Sequence, residues 1–143
     1  MQTFLPYPNF LDSAYVLDRQ RLGKQRVEVK QILNALDGNS KGWVNHPAVQ
    51  MWRGYEPALA FYGAVVCSMW LERGYKDSLL PFFGERLTPD FEMPPWLGNE
   101  DFHLSHQSNL VRKDAAYYGP IFPGVPDDLE YWWPTRAPTA ALT

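Results

Sequence analysis

A single cysteine, Cys67, is all the thiol chemistry this 143-residue chain carries. One thiol excludes an internal disulfide framework and any clustered-thiol zinc motif. Histidine is scarce as well, at three. Long apolar runs are missing. The longest lies within Pro57–Leu71 and includes Gly63 and Ser68, short of the ~20 residues a membrane span needs. The start, Met1-Gln2-Thr3-Phe4-Leu5-Pro6, has no basic stretch followed by an apolar one, which argues against a signal peptide. Internal repeats, low-complexity tracts and sustained strand alternation are also lacking. These absences point to a cytoplasmic protein with no membrane partner. What is present suits a folded chain. At 45% hydrophobic and 15% aromatic residues it is too apolar for disorder. Its length fits one domain over residues 1–143, expected to be a monomer.

The net charge of −3 hides an asymmetry. Residues 1–53 hold seven Lys/Arg against four Asp/Glu, and residues 54–143 hold six against twelve. A basic footprint for nucleic acid can therefore form only locally, from the first third of the chain.

Helix signals dominate. Asp12 or Ser13 is positioned to cap a first helical segment running to Leu36, with Leu22, Val29, Leu33 and Leu36 on one stripe. Asp37-Gly38-Asn39-Ser40-Lys41-Gly42 reads as a loop. Pro47 suits the first turn of a short helix. Pro57 opens a second long helix, apolar nearly all round and closed by Gly74. Residues 77–97 read as irregular, and a third helix covers Asp101–Lys113. The fold class expected is all-α: a compact single domain of three main helices. A Pro/aromatic-rich C-terminal segment is laid over them.

The segment Asp18–Lys30 carries five cations and two acids. At ~100° per residue, Glu28 lies at the edge of the apolar face, with Arg21, Lys24 and Gln25 on the same side. A border carboxylate held among cations suits acid–base work. The same pattern also fits a solvated helix with an ordinary Lys24–Glu28 pair. His103 and His106 share a helix face near Glu100 and Asp101, which is half of a metal site or a pair of phosphate contacts. His46 can cap the helix at Pro47 or face a substrate. Cys67 reads as a buried structural thiol. The aromatic groups Tyr117-Tyr118 and Tyr131-Trp132-Trp133 fit packing better than base stacking.

Gln20-Arg21-Leu22-Gly23-Lys24-Gln25-Arg26-Val27-Glu28 resembles the Q-H-L-x-x-E-x-R-E block of the pyrimidine-dimer DNA glycosylases of the endonuclease V type. Met1-Gln2-Thr3-Phe4, Tyr7-Pro8, Leu71-Glu72-Arg73-Gly74-Tyr75, and Ser105-His106 through Tyr117-Tyr118-Gly119 follow in the family's order. The likeness spans about residues 1–120 and is closest to an actinobacterial branch, through Arg21–Arg26 and His46-Pro47-Ala48. It implies a base-excision DNA repair glycosylase with coupled abasic-site (AP) lyase activity, needing no cofactor and no metal. Its substrate is double-stranded DNA carrying cyclobutane pyrimidine dimers or another altered pyrimidine, with nucleoid association while bound. The family's nucleophile is the N-terminal α-amine. α-Amines have pKa values of about 7.7–8.0 and keep a neutral fraction near pH 7. Spacing along the block puts Glu28 at the family's catalytic glutamate.

Two departures stand out. Val27 replaces the family arginine before the glutamate, with Arg26 one residue earlier, and Arg21 stands where the family has histidine. Gln2 is bulky enough to block methionine removal, which makes Met1 itself the expected nucleophile. The expected catalytic residues are thus Met1 and Glu28. Expected DNA contacts are Arg21, Lys24, Gln25, Arg26, His46, His106 and Lys113, with Arg19, Lys30, Lys41, Arg53 and Arg112 as further phosphate contacts. Two other readings stay open: a non-catalytic DNA-binding module on the same fold, and a metal-dependent hydrolase built on His103 and His106.

Overall fold

Three long helices set the frame of the computed structural model, which describes residues 1–39 and 42–134. In chain order the helices are α1 (Phe10–Val16), α2 (Arg19–Leu36), α3 (Pro47–Gln50), α4 (Glu56–Glu72), α5 (Leu80–Gly84), α6 (Glu100–Lys113) and α7 (Ala115–Tyr118). No strand occurs among the described residues. The chain is an all-helical, compact single domain. Lys41 and the residues from 135 onward lie outside the description.

The expected first helix is two helices. Asn9, rather than Asp12 or Ser13, caps α1 by accepting the Asp12 N–H at 3.0 Å. Leu17 and Asp18 are both extended. The break has a tertiary cause. Leu17 drops fully into the core, and Asp18 is gripped by Tyr118, whose hydroxyl accepts the Asp18 N–H at 2.9 Å and donates to its carboxylate.

α4 is the central buried helix, as its apolar surround requires. Ala58, Leu59, Ala60, Tyr62, Val66 and Cys67 are all buried. Its end is a complete Schellman turn. Gly74 adopts φ 92°, its N–H donates to Leu71 O at 2.9 Å, and the Tyr75 N–H donates to Trp70 O at 3.3 Å. The Trp70 and Tyr75 rings close the motif at 4.3 Å.

The segment 77–97 holds one short helix, α5, where irregular chain was expected. Five residues are too few to show a period. Its reason is packing: Phe83 is fully buried against Gly63 of α4. A Cβ on Gly63 would lie 2.5 Å from the Phe83 ring, so only glycine admits α5 at this distance.

α6 is capped by Asn99, which accepts the Phe102 N–H at 3.0 Å. The irregular segment after Pro120 runs back along α6. Leu129 N–H donates to Ser108 Oγ at 3.0 Å, and Trp132 N–H donates to Ser105 Oγ at 3.1 Å. Tyr118, Tyr131, Trp132 and Trp133 therefore pack on the core, Tyr117 is exposed, and Tyr131 is carried to the amino terminus.

Candidate active site

Residues 1–7 form no helix or strand, yet Gln2, Thr3, Phe4 and Leu5 are buried. Buried backbone groups need partners, and here side chains supply them. Glu28 Oε2 accepts the Gln2 N–H at 2.8 Å. Gln25 donates to Gln2 O and accepts the Phe4 N–H, both at 2.7 Å. Tyr62 donates to Phe4 O at 2.6 Å. His106 Nδ1 accepts the Leu5 N–H at 3.0 Å. His103 Nδ1 contacts Leu5 O at 2.7 Å, and Gln107 donates to Pro6 O at 2.8 Å. α2, α4 and α6 thus hold one extended segment between them, and its free end is the α-amine.

That amine lies 3.6 Å from Glu28 Oε2. The Met1 side chain is 2% exposed and Glu28 12%. Met1 as a whole is only part-buried, so its accessible surface is on the main chain at the amine end. The amine and Glu28 line an open cavity of about 270 Å³, together with Gln2, Phe4, Gln20, Arg21, Lys24, Lys113 and Tyr131. Three basic side chains and the amine thus face a single carboxylate. The acidic balance of the whole chain does not extend to this cavity, whose charge suits phosphate oxygens.

The cavity cations come from two helices. Arg21 and Lys24 belong to α2 and Lys113 to the end of α6. Asp18 orients Arg21 through a bond of 3.2 Å. Burial pushes the Asp18 carboxyl up, but hydrogen bonds from Tyr118 and Arg21 outweigh it and hold it below the usual range. Tyr131 is pushed up to about 12 by burial, against the opposing pull of Gln2. The Gln2 amide nitrogen is buried without a hydrogen-bond partner.

The structure separates the other expected contacts from this cavity. Arg26 points to the far side of α2. It pairs with Asp77, whose side chain is fully buried, and lies 4.6 Å above the Trp70 ring. Positions 26 and 28 differ by about 200° around a helix, so Arg26 and Glu28 cannot face one site. Val27, which stands where the resemblance leads one to expect an arginine, is exposed to solvent. Gln25 and His106 are buried, and each holds the amino-terminal segment. Burial, with His103 second, pushes His106 down to about 3. His46 caps α3, its Nδ1 accepting the Ala48 N–H at 3.0 Å. Burial lowers its pKa first, the α-amine lowers it further and Glu28 opposes, which puts the ring near the site without lining it.

His103 and His106 have little left for a metal. His103 Nε2 accepts the Gly98 N–H at 2.9 Å and Nδ1 meets Leu5 O. His106 Nδ1 is taken by Leu5, and its Nε2 is buried without a hydrogen-bond partner. No group of three or more His, Cys, Asp or Glu side chains arranged to hold a metal occurs among the described residues.

Sequence reasoning missed Tyr131 as a cavity residue, because it sits in irregular chain with no period to place it. It also missed the work done by Gln25, Tyr62 and Gln107 on the amino-terminal segment, since their partners are 21 to 101 residues away.

An all-helical frame enclosing an amine, a carboxylate and basic side chains points to an enzyme acting on DNA. The profile of the pyrimidine dimer DNA glycosylase family matches residues 1–80. That is more than half of the 143 residues, and the chain belongs to this family of DNA repair glycosylases. The matched span includes Met1, Gln2, Gln20, Arg21, Lys24 and Glu28, whereas Lys113 and Tyr131 come from beyond it. No curated protein and no solved structure matches the chain. No helix among the described residues is long and apolar enough to cross a membrane.

Proposed function

We propose that this protein excises cyclobutane pyrimidine dimers, or a related altered pyrimidine, from duplex DNA, using the Met1 α-amine in a coupled glycosylase and AP lyase reaction. One observation carries the reading: the α-amine is held 3.6 Å from the Glu28 carboxylate in a cavity rimmed by cations. At that spacing a small shift or one bridging water lets Glu28 take a proton from the amine.

The chemistry follows from these groups. The neutral amine attacks C1′ of the damaged nucleotide. The C1′–N bond to the base breaks, and its electron pair leaves with the pyrimidine, which takes up a proton. The C1′–O4′ bond then breaks, its electron pair going to O4′; of the amine's two protons one passes to the pyrimidine and one to O4′, leaving an imine between Met1 and C1′. Removal of a C2′ proton expels the 3′ phosphate, and water hydrolyses the imine to free the amine. Glu28 is the group placed to accept the amine proton and the C2′ proton and to stabilise positive charge on the sugar. Arg21, Lys24 and Lys113 hold flanking phosphates.

The test is an end-labelled duplex with one cyclobutane dimer. Wild type breaks the glycosyl bond of one dimer pyrimidine, which stays tethered to its neighbour through the cyclobutane ring, and cuts the strand, with or without EDTA. Glu28→Gln binds the same duplex but loses glycosyl-bond cleavage by about 10²–10⁴-fold, the usual contribution of a positioned acid–base group. Glycosyl-bond cleavage that survives Glu28→Gln removes Glu28 from the mechanism. Binding by wild type without cleavage favours a DNA-binding module.

A further inference from the structure

We infer that Gln25 is the positioning residue that sets the register of the α-amine, acting as a one-residue substitute for a neighbouring β-strand. The inference rests on the amine reading above. An extended strand offers its neighbour an alternating donor and acceptor. The segment Gln2–Phe4 has no neighbouring strand. Gln25 presents a donor and an acceptor from one amide, to Gln2 O and the Phe4 N–H, each at 2.7 Å. Its side chain is buried, so water cannot replace it. These bonds fall on either side of Thr3 and one residue from the nucleophile. The other anchors are Glu28 on the Gln2 N–H at 2.8 Å, Trp52 Nε1 on Thr3 Oγ1 at 3.1 Å and Tyr62 on Phe4 O; none of them holds the Gln2 carbonyl, which Gln25 fixes.

The amide is chemically specific for this task. Only a side chain with one donor and one acceptor on the same planar group serves both bonds. Methionine fills the space but leaves two buried backbone groups unpaired. A carboxylate accepts from Phe4 and repels Gln2 O. A protonated carboxyl, however, has the amide's pattern: its carbonyl accepts and its hydroxyl donates. Gln25→Glu is therefore a positioning residue that can be switched on by acid. The ionisable groups of the cavity and of the segment that Gln25 holds are the Met1 amine, Arg21, Lys24 and Glu28 on α2, Tyr62 on α4, His103, His106 and Lys113 on α6, and Tyr131 from the C-terminal segment. All are shared with wild type, so a change with pH in the ratio of variant to wild-type rate reports the carboxyl at position 25, through its hydrogen bonds and through its charge on the amine and Glu28.

The experiment is cyanoborohydride trapping on a duplex with a preformed abasic site, from pH 5.5 to 8, with binding measured in parallel. Wild type forms the adduct at Met1. Gln25→Met binds the duplex as wild type does, because Arg21, Lys24 and Lys113 are untouched. It traps on the order of 100-fold more slowly, the penalty of misplacing a reacting group by about 1 Å. Its amine, released from register, is methylated faster by formaldehyde and cyanoborohydride without DNA. For Gln25→Glu the ratio to wild type rises as pH falls. If Gln25→Met fails to fold, the Gln25→Glu ratio decides alone. A flat ratio, or trapping by Gln25→Met at the wild-type rate, overturns the role of Gln25 and leaves the amine reading standing. No adduct from wild type at any pH overturns both.

Discussion

Replacing Arg26 by methionine separates a structural role from a DNA contact. Arg26 belongs to the most basic stretch of the chain, and residue type alone suggests phosphate binding. Its surroundings say otherwise. The guanidinium pairs with Asp77, whose side chain is buried, donates to Gly23 O at 3.3 Å and covers the Trp70 ring. Breaking a buried ion pair on one side costs about 3–5 kcal/mol, because the remaining charge is stranded. Asp77 keeps two backbone donors, Leu79 N–H at 3.0 Å and Leu80 N–H at 2.7 Å. The cost therefore falls at the low end, about 3 kcal/mol. For a chain of this size each kcal/mol shifts the melting temperature by about 2–4 °C, so Arg26→Met melts about 6–12 °C lower. Calorimetry measures that shift. DNA binding titrated against salt measures the other role, since each phosphate contact contributes about 0.9 to the slope of log K on log salt. The slope is expected to stay at its wild-type value. A slope smaller by about 1 with an unchanged melting temperature would refute this account of Arg26.

Three further outcomes follow from the same geometry. Lys24→Ala and Lys113→Ala each lower the salt slope of DNA binding by about 1, with little effect on the melting temperature; unchanged slopes would remove these side chains from the DNA interface. Acid weakens the fold through His106. Its folded pKa is pushed down to about 3 from an ordinary 6.5, so its contribution is complete above pH 6.5 and is lost as pH falls from there toward 3. That amounts to about 2 kcal/mol by pH 5. Urea unfolding at pH 7.5 and pH 5 reads the loss, and His106→Asn, which keeps an acceptor for the Leu5 N–H, loses less. Equal losses in the two proteins would contradict the assignment.

Much of the frame is legible in the residues themselves. α4 announces itself through Pro57, an apolar run and Gly74, and the Schellman turn at Gly74 is a local motif. α3 is readable from His46-Pro47, since a capping side chain and a first-turn proline act within four residues. The α1–α2 break is not, because Leu17-Asp18 is an unremarkable pair until Tyr118 arrives from a hundred residues away. α5 is likewise set by a contact, Phe83 on Gly63, rather than by a pattern.

The site divides along the same line. Arg21, Lys24 and Glu28 follow from helix phase, and the structure brings all three to one cavity. Arg26 has the same chemistry but the opposite phase, and its partner Asp77 lies 51 residues on. Gln25 and His106 were expected to contact DNA. They face the chain's own first residues instead, because an extended buried segment needs hydrogen bonds that no local pattern encodes. Tyr131 reaches the cavity because Ser105, Ser108, Asn109 and Arg112 tie the C-terminal segment to α6.

The central claim is that the Met1 amine forms a covalent bond to the sugar. Borohydride trapping on a duplex with one cyclobutane dimer, followed by peptide mass mapping, tests it most directly. An adduct on the Met1 peptide is expected, present with the dimer and absent with undamaged duplex. An adduct on Lys24 or Lys113, the other amines lining the same cavity, or no adduct from a protein whose Met1 amine is shown to be free, would contradict it.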